Sequence, residues 1–374
     1  MKLLIAGGGT GGHLFPGIAV AEEFLSRDPA NEVLFVGTER GVESKVLPQL
    51  GYRLQLISAS GVRGKGASGL FTGLGRFLYS YSQSRQILKD FAPDMVLGVG
   101  GYASAPVLMA ARGMLIPRFV HEQNAYPGMA NKVLSRFAAE AYISLEESTR
   151  FFPKGNTVLT GNPLRRQILD VVAAAEKGEG ESDTESGEFN LLVFGGSLGA
   201  HSINMAMVAA APLLARLGGR FSVTHQTGEK DRDEVAAAYE AAGITAEVLP
   251  FINDMAAAYR QADLVVCRAG ATTIAEVTAC GKPCLFIPYP HAVDDHQRRN
   301  AEALLKKGAG EMLLERELSP LRLVETIESL SGDRAKLKLL GGNARALGRT
   351  DAGKVIVDRM MAVTGSGLRA RAKG

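Results

Sequence analysis

Lys2-Leu-Leu-Ile-Ala6 runs straight into Gly7-Gly-Gly-Thr-Gly-Gly12-His13, and the reading of this stretch decides the fold. A short apolar run of strand length ends in a glycine-rich turn, and the sequence beyond it can form a helix. At mid-chain the plan returns as Asn190-Leu-Leu-Val-Phe194 followed by Gly195-Gly-Ser-Leu-Gly-Ala200-His201. In α/β proteins the turn after such a strand is where backbone N–H groups and a helix N-terminus hold a phosphate. Two copies predict two nucleotide-fold halves facing one cleft.

Working outward, further apolar runs alternate with helical stretches. They are Val33–Val36, Met95–Val99, Arg118–Val120 and Ala141–Ile143, then Phe221–Val223, Glu247–Leu249, Leu264–Val266 and Pro283–Ile287. Continuous apolar strands between helices predict parallel sheets covered on both faces. Turn chemistry at Gly161-Asn162-Pro163 marks the boundary between halves. A short helix from Leu164 to about Ala175 is expected next, then a solvated, mobile acidic loop over 176–188, with the new sheet opening at Asn190. Ala335–Met361 is helical in composition, and the basic tail from Gly365 is expected to fray. The domains read as 1–163, 164–340 and a C-terminal helix over 341–374 packing back on the first.

The 374 residues suit two domains, and 46% hydrophobic content supports large cores. A net charge of +3 argues against a dedicated nucleic-acid binder. Cys267, Cys280 and Cys284 form no CxxC pair, which fits a reduced, cytoplasmic setting. No leader-like segment precedes the first strand, and no apolar run reaches bilayer-spanning length; Ala103–Val120 is interrupted by Arg112, Pro117 and Arg118.

Gly7-x-Gly9-x-x-Gly12 formally matches the dinucleotide fingerprint, with Glu39 available as a ribose-binding acid. Against that reading, His13 follows where small packing residues are usual, and Pro16 is expected to delay the helix. A third glycine pair, Gly100-Gly101-Tyr102, also follows an apolar strand. His121-Glu122-Gln123-Asn124 places four polar side chains directly after a buried strand, which is costly unless they line a cleft. Cys267–Glu276 follows Leu264–Val266: Arg268 could pair with a phosphate, Thr272 or Thr273 could cap the next helix, and Glu276 could accept ribose hydroxyls, or the segment could be a plain capping box. Asp294-Asp295-His296-Gln297 suits sugar hydroxyls, and its spacing completes no metal site.

Taken together, GGGTGGHLFPG (7–17), GVGGYASAP (98–106), HEQNAYPGMANK (121–132), TGNPLR (160–165), FGGSLGAHSIN (194–204), PFINDM (250–255), CRAGATTIAE (267–276) and DDHQRRNA (294–301) resemble, in this order, the MurG family of bacterial cell-wall glycosyltransferases. The resemblance runs from Leu3 to about Ala301. It implies a GT-B fold, two Rossmann-like domains with parallel sheets around a central cleft. It also implies an inverting hexosyltransferase, moving GlcNAc from UDP-GlcNAc to the C4 hydroxyl of MurNAc in lipid I, giving lipid II and UDP for peptidoglycan synthesis.

Residue by residue, the resemblance implies a donor set of Thr10, Gly11, Gly12 and Asn124 with Arg165, Gly196, Ser197, Ile252, Arg268, Gly270, Ala271, Thr272, Thr273, Glu276, His296 and Gln297. Phe251-Ile252 would meet uracil, Glu276 the ribose, and Ser197 with the Gly195-Gly196 loop the diphosphate. Where some members carry Gln, this chain has His296, whose imidazole still hydrogen-bonds. The implied acceptor set is Gly9, Tyr102, Ser104, His121 and Asn131, with the lipid pyrophosphate on glycine-loop amides and no metal or other cofactor required. His13 is the leading general base, Glu122 the alternative and His121 a weaker one.

A lipid acceptor implies a peripheral protein on the cytoplasmic face of the inner membrane, with possible cell-wall synthesis proteins as partners. Leu70, Phe71, Leu74, Phe77 and Leu78, interleaved with Arg63, Lys65 and Arg76, suit an interfacial helix on anionic lipid, or a helix burying its apolar face. Competing readings are another GT-B enzyme, such as a glycolipid synthase or sugar-nucleotide epimerase, and a non-catalytic sugar-nucleotide-binding subunit.

Overall fold

A computed structural model describes residues 1–39, 41–59, 67–177, 188–196, 199–217 and 220–372. The chain divides into two compact units. One comprises Met1–Arg165 with Thr350–Gly374, the other Arg166–Arg349. The first contains strands β1 (Lys2–Gly7), β2 (Glu32–Gly37), β3 (Leu54–Leu56), β4 (Met95–Gly100), β5 (Arg118–Glu122), β6 (Glu140–Ile143) and β7 (Thr157–Leu159). The second contains β8 (Glu188–Phe194), β9 (Arg220–Gln226), β10 (Thr245–Leu249), β11 (Leu264–Cys267), β12 (Cys284–Phe286) and β13 (Glu311–Met312).

Helices of the first unit are α1 (Gly11–Ser26), α2 (Glu43–Gln49), α3 (Ala67–Phe91), α4 (Ser104–Gly113) and α5 (Met129–Leu134). Those of the second are α6 (Arg166–Glu176), α7 (His201–Leu214), α8 (Arg232–Ala241), α9 (Met255–Gln261), α10 (Ala271–Ala279), α11 (His296–Leu305), α12 (Pro320–Ser331) and α13 (Arg334–Leu347). The last helix, α14 (Ala352–Ala372), returns to the first unit.

The strand orders are β3-β2-β1-β4-β5-β6-β7 and β10-β9-β8-β11-β12-β13, with parallel pairing throughout. Each order reverses beside the first strand of its unit, at the β1/β4 and β8/β11 pairs. This is the doubly wound arrangement, and such sheets bind ligands at the strand C-terminal ends where the order reverses. Sequence dictates it plainly. Leu3, Leu4, Ile5 and Ala6 are at most 1% exposed because helices cover both faces of β1. Deleting any of these leucine or isoleucine side chains would cost about 2–5 kcal/mol.

Several local expectations move. α1 begins at Gly11 and carries Pro16 inside it, so the proline does not delay the helix. Proline's fixed φ is helical, and the loss is the one bond to the Gly12 carbonyl. The helix expected from Leu164 starts at Arg166, and the second sheet opens at Glu188 instead of Asn190. The acidic loop over 178–187 lies outside the described residues. Ala335–Met361 is two helices, and a boundary at 340/341 would cut α13, which belongs wholly to the second unit. The helix of the tail continues to Ala372, beyond the Gly365 where fraying was expected. Ile356, Val357 and Met360 of α14 join the core of the first unit, and Arg359 Nε donates to Glu140 at 2.8 Å.

Candidate active site

At the β1/β4 exit, two glycine pairs close on each other. A Cβ on Gly7 would lie 2.5 Å from the Gly100 carbonyl oxygen, and one on Gly101 would lie 2.3 Å from that of Gly8. Only glycine permits this approach. Thr10, expected to touch donor, is the N-cap of α1 without a side-chain cap bond, and Gly11 and Gly12 form its first turn. Tyr102 stands 60% exposed beside this loop. Ser104 does not share that exposure: its hydroxyl is fully buried, accepting from Gly100 N at 3.0 Å and lying 2.7 Å from the Ala6 carbonyl. It staples β1 to β4, so the hydroxyl expected at the acceptor is bonded to backbone groups.

Beneath the first glycine loop lies an acid that sequence reading missed. Glu43 is fully buried, and its carboxylate accepts from Gly9 N at 2.7 Å, Thr38 N at 2.8 Å and Thr38 Oγ1 at 3.1 Å. Gly8, Gly37 and Gly41 all crowd it: a Cβ on any of them would come within 2.4 Å of its side chain. The Gly9 amide expected to hold an acceptor phosphate is therefore engaged from below. The clue in the sequence is three glycines around one acid.

His121, Glu122 and Gln123 are each 1% exposed, so they do not line an open surface. They tolerate burial because they satisfy one another and the next loop. Glu122 accepts from Asn124 N (3.0 Å), Asn124 Nδ2 (3.2 Å), Gly128 N (3.3 Å) and Asn131 Nδ2 (2.9 Å). Both oxygens of the alternative base are thus committed to shaping the 122–131 loop, and Asn131, expected at the acceptor, is 3% exposed and bound to Glu122.

Gln123 organises the two histidines. Its Nε2 donates to the Val99 carbonyl at 2.8 Å, which fixes the amide orientation and turns Oε1 toward His13 Nδ1 at 3.0 Å. An amide oxygen only accepts, so the His13 proton sits on Nδ1 and a neutral ring keeps Nε2 unprotonated. The same Nε2 faces His121 Nδ1 at 3.0 Å, which must accept, leaving the His121 proton on Nε2 toward the Gly161 carbonyl at 3.4 Å and Ser144 Oγ at 3.3 Å. Burial pushes the His121 imidazole down to about 4; the Gly161 hydrogen bond opposes this and the charge of His13 adds to it. Gly100 leaves the His13 ring room, since a Cβ there would be 2.8 Å from Nδ1.

The exit of β8 is built on the same plan with different supports. A Cβ on Gly199, at φ +74°, would meet the Thr227 carbonyl oxygen at 1.9 Å. Ser197 lies outside the described residues. The amide of Gln226, 3% exposed, donates to the Gly196 carbonyl at 2.6 Å and accepts from Ile252 N at 2.8 Å. One neutral side chain thereby joins the glycine loop to the segment expected to meet the base. Behind it, Asn204 donates to Asp231 and Thr227, and His225 Nε2 meets Asn204 Oδ1 at 3.1 Å. Burial drives His225 down to about 3 against the opposing pull of Asp231.

Arg268 is 7% exposed and already committed. Its Nη1 donates to the Ile287 and Pro288 carbonyls, its Nη2 to Ser202 Oγ at 2.8 Å, and it pairs with Glu315. A buried guanidinium requires such partners, and these bonds brace the strand exits beside which the phosphate contact was expected. Gly270, not a threonine, is the N-cap of α10, and no side chain caps that helix. Its N-terminal turn, with Ala271, Thr272 and Thr273, points the positive end of its dipole at the β11 exit. Glu276 is no capping-box partner. It is buried and accepts from Tyr259 OH at 3.1 Å.

Asp294 and Asp295 hold φ of +54° and +55°, two consecutive left-handed residues outside glycine. Such strain clusters at functional turns. It delivers His296 and Gln297 to the start of α11, where His296 Nδ1 donates to the Val293 carbonyl at 2.7 Å and Gln297 Oε1 accepts from Tyr289 N at 3.0 Å. Arg165 ends the first unit with its guanidinium 5.4 Å from the Phe15 ring. Among the described residues no three His, Cys, Asp or Glu side chains gather to hold a metal.

On α3, Leu74 and Leu78 lie one turn apart, 57% and 58% exposed, with Tyr79 at 59% and Phe77 half-buried. Arg63, Lys65 and the side chains of Leu70 and Phe71 fall outside the description. No helix among the described residues is long and apolar enough to cross a membrane.

Comparison with known proteins converges on one group. Residues 3–143 match the N-terminal domain of glycosyltransferase family 28, and residues 190–354 match its C-terminal domain. The chain is 64% identical over 364 residues to a Geobacter sulfurreducens protein named UDP-N-acetylglucosamine–N-acetylmuramyl-(pentapeptide) pyrophosphoryl-undecaprenol N-acetylglucosamine transferase, covering 97% of this chain and 99% of that one. A Citrifermentans bemidjiense protein of the same name is 58% identical over 361 residues, covering 96% and 99%. The crystal structure of Acinetobacter baumannii MurG superposes with a TM-score of 0.78 at 31% identity, covering 96% of this chain and 99% of that one. A Neisseria meningitidis UDP-GlcNAc 2-epimerase bound to UDP-GlcNAc, at TM-score 0.65 and 16% identity, shares the fold alone. Two doubly wound units, each with a braced glycine loop, and matches along nearly the whole length have one reading: the chain belongs to glycosyltransferase family 28, among the MurG transferases.

Proposed function

We propose that the chain transfers GlcNAc from UDP-GlcNAc to lipid I, the undecaprenyl-pyrophosphoryl MurNAc-pentapeptide, forming lipid II and UDP. The observation that carries this reading is 64% identity along 97% of the chain to a transferase of that name. The glycine loops and the strained turn before His296 support it, since each lies where such folds bind ligands.

In this reading the second unit holds the donor and the first holds the acceptor. The MurNAc C4 oxygen attacks the anomeric carbon of GlcNAc, the bond from that carbon to the β-phosphate oxygen breaks, and UDP leaves with the electron pair from the opposite face. The configuration inverts. The hydroxyl proton passes to His13 Nε2, the nitrogen that the Gln123 contact leaves without one. Glu276 takes the ribose, and the α10 N-terminal turn with the Gly195-Gly196 loop stabilises the departing diphosphate by fixed dipoles, without a bound metal. Leu74, Leu78 and Tyr79 seat the first unit on an anionic membrane surface at the cytoplasmic face.

Radiolabelled UDP-GlcNAc with purified lipid I tests the reading. A labelled lipid-linked disaccharide is expected. Free UDP with an epimerised sugar, or binding without turnover, would replace this function by an epimerase or a binding subunit. Loss of liposome sedimentation on Leu74→Asp with Leu78→Asp, at unchanged thermal stability, tests the membrane surface.

A further inference from the structure

The second unit carries a cavity remote from its strand exits. It measures ≈ 390 Å³, and its lining includes Asp263, Lys282, Arg334, Lys338, Gly342 and Arg345. Asp263 immediately precedes β11, and Lys282-Pro283 precede β12, so the cavity sits at the entry ends of these strands. Arg268 and the α10 N-terminus occupy the exit end. α10, about 14 Å long at 1.5 Å per residue, runs from that end down to the turn that lines the cavity.

Charge in the cavity is unbalanced: four cations face one carboxylate. That carboxylate is already shared, Oδ1 accepting from Arg334 Nη1 at 3.2 Å and Oδ2 from Asn190 N at 2.8 Å. Lys282 Nζ donates to the Arg260 and Ala262 carbonyls at 3.0 and 2.8 Å, and Arg345 Nη2 to the Cys280 carbonyl at 3.2 Å. Carbonyl dipoles orient these two cations without neutralising them. Lys338 is exposed and forms no ion pair among the described residues. Burial pushes the Lys282 ammonium below its usual range; Cys280 and Asp263 oppose this and the nearby Arg345 charge adds to it. A Cβ on Gly342 would meet nothing, so this wall stays open.

We propose that this cavity is an anion site for a phosphate-bearing ligand, separate from the donor site. Two arginine forks and two ammonium groups around one small volume match an oxyanion carrying two or more charges. The volume suits a small ligand or a headgroup, at the low end of the usual range of about 300–1,000 Å³. The chemistry admits a soluble phosphate ester or a lipid headgroup.

The test titrates inorganic pyrophosphate into the full chain saturated with UDP, by calorimetry at low salt, so that the donor site is occupied. Saturable binding is expected, weakened about tenfold or more by Lys338→Glu and retained by Lys338→Arg, with UDP affinity unchanged in both. A parallel arm measures capture on phosphatidylglycerol vesicles. Pyrophosphate binding sensitive to Lys338→Glu identifies a soluble phosphate ester, and sensitivity confined to vesicle capture identifies a headgroup. If neither arm responds to Lys338→Glu, or if pyrophosphate does not saturate and vesicle capture is unchanged, the cavity is no anion site.

Discussion

Both units end their first strand in a glycine loop, but what lies beneath the two loops carries different charge. Under the first sits the Glu43 carboxylate, taking the Gly9 N–H. Under the second sits the Gln226 amide, taking the Gly196 carbonyl. A buried anion beneath a loop opposes a second anion above it and removes an amide from its reach. A neutral amide bonded to the carbonyl side leaves the field positive, as does the helix that follows. In the proposed function the second loop is the one that receives the diphosphate. The first holds His13 beside Gln123, and its Gly9 amide is taken by Glu43. Two copies of one backbone plan thus rest on side chains of different charge.

The largest expected effect breaks the first copy. His13→Ala should lower turnover by about 10²–10⁴-fold, the usual contribution of a general base, with UDP affinity unchanged. Steady-state kinetics beside calorimetry with UDP checks it; turnover surviving within tenfold would move the base elsewhere.

Acid comes next and compares the units directly. His121 and His225 titrate in the fold near 4 and 3, against about 6.5 when unfolded. Both are lowered, so the unfolded chain binds more protons. The stability held by each neutral ring is complete above pH 6.5 and is lost as pH falls toward the folded value, at about 1.4 kcal/mol per pH unit per histidine. At pH 4 the first unit should have lost about 3 kcal/mol from His121, and the second should go on losing toward pH 3. Denaturant melts from pH 7 to 3 read this. A flat profile would mean the rings are reachable by water.

The alternation of strands and helices was legible because apolar runs of strand length and glycine turns are local signals. His13, Gly196 and Glu276 could be singled out for the same reason: each sits a few residues from the end of a strand or the start of a helix. Glu43 and Gln226 were not legible, since they act on loops 34 and 30 residues away, and nothing in their own neighbourhood announces it. Gln123 was in view within a polar run, but its role depends on the Val99 carbonyl, which only the fold supplies. Ser104 and Arg268 show the converse. Both sit at strand exits and were read as ligand contacts, and their internal bonds, Ser104 to the Ala6 carbonyl and Arg268 to backbone, Ser202 and Glu315, come from elements remote in sequence that no local signal announces.

A smaller effect sharpens the account of the first loop. Gln123→Leu keeps the volume but frees the His13 ring to adopt either tautomer. Turnover should fall about thirtyfold with little change in either substrate's KM. A merely structural residue would not move the proton, so ¹⁵N chemical shifts of His13 supply the separate readout: protonation at Nδ1 in the parent chain, a mixture of both tautomers in Gln123→Leu. Gln123→Glu offers an acceptor to His13 but no donor to Val99 and should rescue the tautomer only in part.

The smallest expected effect exchanges the two supports. In Gln226→Glu, the carboxylate still accepts from Ile252 N but opposes the Gly196 carbonyl and places an anion beneath the donor loop. The loss of one hydrogen bond and the added repulsion should raise the KM for UDP-GlcNAc about tenfold, equal to about 1.4 kcal/mol, with kcat at saturation little changed. In Glu43→Gln, the amide can accept on one side only, because Gly9 N and Thr38 N, on opposite oxygens, both donate. About 1–3 kcal/mol of stability should go, and the KM for UDP-GlcNAc should stay as it was. The pair of results separates the loops by what each supports. Equal rises in donor KM from both substitutions would mean that the two loops share the diphosphate, and that the charge beneath them does not decide which one receives it.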